Sequence, residues 1–158
     1  MLLLLVVVSA FAGAPPTTTV TATTRHLSLQ AKVEPEAAAV GAELTITFTV
    51  TPARGIHIYA PGSEYQAVAV KIDPRPGLTA KKLEYPPSEM YHFEPLDEIV
   101  PVYQKPFVLE QAVTVSAPAI KGKNAVTLSG SLSYQACDDR VCFKPTSIPF
   151  TFELAIKR

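Results

Sequence analysis

The chain has no tryptophan, only two cysteines and two methionines, and seven glycines in 158 residues. It has no excess charge of either sign, since fourteen Lys and Arg balance fourteen Asp and Glu. Without a basic field, nucleic acid and anionic membrane surfaces are excluded as electrostatic partners. The three histidines, His26, His57 and His92, show neither His-x-His nor His-x3-His spacing, so no local metal motif exists. There is also no Gly-x-Ser-x-Gly elbow, phosphate loop or His-Glu-x2-His helix. Hydrolase and nucleotide chemistry have no support, and neither a metal nor an organic cofactor is expected. What remains is a chain that is 47% apolar and 18% charged. That is enough for one compact core and too apolar for a disordered chain.

The run MLLLLVVVSAFAGA ends in small residues, and Ala10-Phe11-Ala12 fits the small-x-small pattern read by signal peptidase. Leu2 to Ala14 is well short of the roughly 20 apolar residues that cross a bilayer as a helix. The reading is a signal peptide over residues 1–12 and a periplasmic or otherwise exported, soluble protein with no membrane insertion after processing. Residues 13–26 follow as a Thr- and Pro-rich linker, and the folded domain spans 27–158.

Within that domain the dominant period is two, the mark of strands with one buried face. Leu27, Leu29, Ala31 and Val33 alternate with polar residues, and Leu44, Ile46, Phe48 and Val50 alternate with threonines. Further strands are expected at Ile56–Tyr59, Ala67–Ile72, Val108–Val115, Ala125–Ala136 and Ile148–Ile156. About seven short strands punctuated by Pro and Gly turns predict an all-β antiparallel sandwich. Tyr59, Tyr103 and Tyr134 are expected to pack with hydroxyls at its rim, in a structural role. The segment YPPSEMYHFEPLDEIVP, Tyr85 to Pro101, carries four prolines and is expected to be an irregular loop, functional or mobile. Its Met90, Tyr91 and Phe93 either cover a site or fill the sandwich edge.

Both cysteines lie in YQACDDRVCFKP, as Cys137 and Cys142. On the chain-entropy model a ring of about six residues adds only about 2 kcal/mol, against more than about 4 for a crosslink of about 70 residues. A purely structural staple would be expected to span more chain, so a redox pair is favoured over a structural one. Strand parity places Cys137 with Ser131, Ser133 and Gln135, on the polar face, towards solvent or a cleft. Arg140 and Lys144 flank Cys142 two residues away on either side, whereas Cys137 is followed by Asp138 and Asp139. Cations favour a thiolate and anions oppose it, so Cys142 is the expected nucleophile, tuned by Arg140 and Lys144.

Three segments resemble the amino-terminal periplasmic domain family of the thiol:disulfide interchange protein DsbD. They are GIHIYAP at Gly55–Pro61, Tyr85-Pro86 with the loop running to Val102-Tyr103, and LSGSLSYQACDDRVCFKP at Leu128–Pro145. The resemblance implies an immunoglobulin-like antiparallel β-sandwich whose Cys137 and Cys142 cycle between dithiol and disulfide. It also implies electron transfer from a thioredoxin-like donor to periplasmic disulfide-bearing acceptors, with the second cysteine forming the mixed disulfide. DsbD continues into a transmembrane and a thioredoxin-like domain, so separate proteins are expected to supply the electrons here. A loop bearing an aromatic residue caps the pair in that family, and Phe93, within Met90–Glu98, is the expected cap. The competing expectation is a non-catalytic immunoglobulin-like binding or chaperone module in which the bridge only tightens a hairpin.

Overall fold

A computed structural model describes residues 16–157. The signal-peptide expectation lies outside them. Among the described residues there are thirteen strands: β1 (Thr19–Thr23), β2 (Leu27–Glu34), β3 (Ala37–Ala38), β4 (Glu43–Pro52), β5 (His57–Tyr59), β6 (Ala69–Ile72) and β7 (Leu78–Ala80) in the first half. The second half adds β8 (Glu89–Phe93), β9 (Glu98–Tyr103), β10 (Phe107–Val115), β11 (Ala125–Tyr134), β12 (Ala136–Cys137) and β13 (Thr146–Ile156), with one short helix, α1 (Ala117–Ile120). No helix among the described residues is long and apolar enough to cross a membrane.

Two sheets form the sandwich, β1-β2-β4-β10-β7 and β3-β13-β11-β6. The period-two residues are those that fill its core. In β2 and β4, Leu27, Leu29, Ala31, Val33, Leu44, Ile46, Phe48 and Val50 are all buried, and they meet Leu128, Leu132, Phe150, Phe152 and Leu154 from β11 and β13. Burying one face of each sheet against the other removes the apolar stripes from water, which is the main drive to this architecture. Gly130 in β11 is required by close approach: a Cβ there would meet the Lys71 carbonyl oxygen at 2.3 Å and Phe150 Cζ at 2.7 Å.

A third, smaller sheet, β12-β5-β9-β8, has two apolar faces. Ile58, Tyr103 and Ala136 join the main core. Alternate residues Tyr59, Val100, Val102 and Cys137 form a second cluster, with Tyr65, Tyr91 and Cys142 packed against it.

Two expectations change. The Thr-rich stretch taken as a linker supplies β1, which pairs antiparallel with β2 from Thr19↔Lys32 to Thr23↔Ser28. Its half-buried Val20 and Ala22 pack on the core, so two small apolar residues are enough for an edge strand. The segment taken as an irregular loop is the β8–β9 hairpin, registered from Glu89↔Val102 to Phe93↔Glu98. Its connection is one 3-10 turn at Glu94–Leu96 with Pro95 in the first turn, and Asp97 adopts φ 52°. Proline lacks only a donor that the first turn of a helix leaves unused, so Pro95 does not break the hairpin.

Candidate functional site

The cysteine pair sits where β11 hands over to the small sheet. Cys137 pairs with His57 across β12 and β5, and Cys142 returns to form an isolated antiparallel bridge with Cys137. The two are joined as a disulfide with Cα atoms 4.1 Å apart. Between them the chain makes a tight turn closed by Asp138, whose Oδ1 accepts from the amides of Arg140 and Val141, each at 2.8 Å. These backbone bonds hold the half-buried Asp138 carboxyl below its usual range. The segment after Cys142 is tied down as well. The Phe143 amide donates to the Ala136 carbonyl at 2.9 Å, the Phe143 ring lies 4.5 Å from that of His26, and the Arg25 guanidinium sits 4.7 Å from its centroid.

The two sulfurs are not equivalent. Cys137 is fully buried, against the expectation of a solvent- or cleft-facing position, whereas Cys142 is half-buried. Alternation does place Cys137 on the face opposite Tyr134, as expected, but the small sheet covers that face and carries its own apolar cluster. Arg140 and Lys144 are exposed on either side of Cys142, and neither forms a salt bridge among the described residues.

Sequence reasoning missed the residue nearest the sulfurs. The Tyr59 hydroxyl lies 3.1 Å from Cys137 Sγ and 3.2 Å from Cys142 Sγ. Disulfide sulfurs carry no hydrogen, so the phenol O–H is the donor. Burial is the first cause that pushes the Tyr59 pKa up to about 12, with Tyr65 and Glu98 adding to it, so the phenol stays protonated at neutral pH. The sequence-based expectation for Tyr59 was structural packing at the rim. A phenol beside the pair was not predictable, because the sulfurs lie 78 and 83 residues away along the chain.

The expected cap residues separate by strand parity. Met90 is 66% exposed, on the hairpin face away from the disulfide cluster, while Tyr91 packs within that cluster. Phe93, the expected cap, is 3% exposed and packs edge-on to His57 with centroids 6.3 Å apart. It lies outside the disulfide cluster although it shares a strand face with Tyr91, because it sits two residues further along β8, at the turn end of the hairpin. His57 is 2% exposed. Its ring is enclosed by Tyr91 at 4.4 Å, Tyr59 at 5.8 Å and Phe93, and its Nε2 has no hydrogen-bond partner. Burial holds the His57 pKa below 6.5, only partly offset by Asp138. An open cleft of about 390 Å³ lies alongside, lined by Gly55, Ile56, His57, Tyr91, Gln104 and Asp139. Among the described residues, no group of three or more His, Cys, Asp or Glu side chains is arranged to hold a metal ion.

The arrangement is that of a guarded disulfide: one cysteine half-buried, one fully buried, and a protonated phenol touching both sulfurs. No curated protein matches the chain. Among solved structures, it is similar to the reduced amino-terminal domain of DsbD from Neisseria meningitidis, at 19% identity and a TM-score of 0.49, covering 75% of this chain and 81% of that one. It is also similar to the amino-terminal periplasmic domain of ScsB from Proteus mirabilis, at 15% identity and a TM-score of 0.54. There it covers 89% of this chain and spans about half, 51%, of the other. The family model described as "Thiol:disulfide interchange protein DsbD, N-terminal" matches residues 23–153, nearly all of the sandwich and both cysteines. On that match the chain belongs to the DsbD amino-terminal domain family, an immunoglobulin-like thiol:disulfide exchange module.

Proposed function

We propose that this protein is exported to the periplasm and passes electrons from a thioredoxin-like donor to disulfide-bearing acceptor proteins through Cys137 and Cys142. The observation that carries the reading is the unequal burial of the two sulfurs under one shared hydroxyl donor. A donor thiolate attacks Cys142 Sγ, which it can reach, and forms a mixed disulfide. The Cys137–Cys142 bond breaks, and its electron pair leaves on Cys137 Sγ, where the Tyr59 hydroxyl donates a hydrogen bond to the new thiolate. The donor's second thiol then releases Cys142. The donor ends oxidised and this protein holds two thiols. In the second half-reaction the Cys142 thiolate attacks the acceptor disulfide, and Cys137 resolves the complex. Arg140 and Lys144 favour the Cys142 thiolate through their charge. Tyr91 is the aromatic cap, and the hairpin that carries it moves aside when a partner docks.

Equilibration with a glutathione redox buffer tests the reading. Structural disulfides lie below about −300 mV and exchange proteins above it. A value above that line is expected, and a value below it would leave the bridge as a hairpin staple.

A further inference from the structure

The Tyr59 hydroxyl can serve both sulfurs only while its ring is held. Its backbone is fixed, since the Tyr59 amide donates to the Gln135 carbonyl at 3.3 Å and the Val68 amide donates to the Tyr59 carbonyl at 2.8 Å. The ring is held separately. Tyr65 lies flat against it, with centroids 4.5 Å apart and planes inclined by 13°.

Tyr65 comes from the connection between β5 and β6, which has no strand of its own, so its position needs other anchors. The Tyr65 amide donates to Ser63 Oγ at 3.1 Å, and the next amide, of Gln66, donates to Gln135 Oε1 at 3.2 Å. The decisive anchor is at the far end of the ring, where the Tyr65 hydroxyl donates to Glu98 Oε2 at 2.6 Å. Glu98 opens β9, the strand that also supplies Val100 and Val102 to the disulfide cluster. A ring present only as filler would not need a short, charge-assisted bond to a carboxylate.

We infer that Tyr65, anchored by Glu98, is a positioning residue that acts through Tyr59 on the cysteine pair. The inference rests on the exchange reading above and adds a chain of support to it: β9 holds Tyr65, Tyr65 holds Tyr59, and Tyr59 donates to the sulfur that leaves when Cys142 is attacked. A shield and a positioning residue predict opposite signs. Loosening a shield speeds attack by a small thiol, whereas loosening the positioning of a donor slows it.

The test is the single-turnover rate at which dithiothreitol reduces the oxidised full chain at pH 7, for the parent, Tyr59→Phe, Tyr65→Phe and the double variant. Each substitution keeps its ring, and near-ultraviolet circular dichroism checks that the fold is retained. Tyr59→Phe should be slowed roughly tenfold, the scale of one hydrogen bond to a charged group. Tyr65→Phe, which keeps the stack and loses the anchor, should be slowed roughly threefold by the same scale. The double variant should be no slower than Tyr59→Phe, because Tyr65 has no other route to the sulfurs. A Tyr65→Phe rate equal to or above the parent, or effects that multiply in the double variant, would overturn the inference. A parent disulfide that resists dithiothreitol in the folded state would instead overturn the exchange reading, so the two failures are distinguishable.

Discussion

His57 faces Cys137 directly across the β5–β12 ladder, and its imidazole packs against the tilted Tyr91 ring at 4.4 Å while its Nε2 has no partner. One residue therefore joins the backbone pairing that places the buried sulfur to the aromatic ring proposed to cover it.

The first prediction concerns pH. Burial lowers the pKa of both His57 and His26, and Arg25 lowers that of His26 further. A depressed histidine pKa means that the unfolded chain binds the proton more readily. Stability is then full above about pH 6.5 and falls as pH drops through that value towards the folded pKa. His57→Phe keeps an aromatic ring in the box and removes its proton site. Thermal midpoints measured from pH 7.5 to 5 should decline less steeply in this variant than in the parent, with His26 accounting for the remaining slope. Parallel slopes would show that His57 is not strained by protonation.

The cysteines should behave asymmetrically. Cys142→Ser should form no mixed disulfide with an oxidised thioredoxin-like partner or with 5,5′-dithiobis(2-nitrobenzoate), because the remaining sulfur is fully buried. Cys137→Ser should accumulate the mixed disulfide, because the resolving thiol is gone. Mass spectrometry of the adduct reads both. Loss of the bridge should cost either variant about 2 kcal/mol, the scale of a ring this short.

The three hairpin residues should behave differently. Tyr91→Ala should raise the rate of reduction by dithiothreitol several-fold with little change in the folded core. Phe93→Ala should cost roughly 3 kcal/mol, the lower end for a buried phenylalanine, in urea denaturation. Met90→Ala, on the other face, should change neither. A fast Phe93→Ala variant of parental stability would return the cap to Phe93.

Gly130→Ala should destabilise the sandwich by roughly 2 kcal/mol or more, because the added carbon meets the Lys71 carbonyl and the Phe150 ring at distances real structures do not tolerate. The chemistry of the pair, remote from β6, should survive in whatever fraction folds. A urea midpoint equal to the parent would show that β6 yields more easily than its pairing suggests.

The sequence by itself determined the strands of the main sandwich and the face each one buries, because burial against a second sheet writes a period of two directly into residues such as Leu27 to Val33 and Leu44 to Val50. It also singled out Cys137 and Cys142, which lie close enough along the chain to be seen as a pair. The weaker elements depend on partners. β1 is legible only once β2 offers it an edge, since Val20 and Ala22 are its only apolar residues, and β8 only once β9 pairs with it, since Pro86, Pro87 and Pro95 flank it closely.

Tertiary structure alone decided which cysteine is the more buried, which aromatics pack beside the pair and which hydroxyl reaches it. Parity assigned Cys137 to a face but could not show that β5, β9 and β8 would cover that face. Tyr59, Tyr65 and Glu98 are spread over forty positions of a chain whose other strands intervene, and their chemistry near the sulfurs exists only because antiparallel pairing sets β5 between β12 and β9. Local propensity acts over a few residues, whereas a guarded disulfide is assembled by contacts between strands that meet only when the chain has folded.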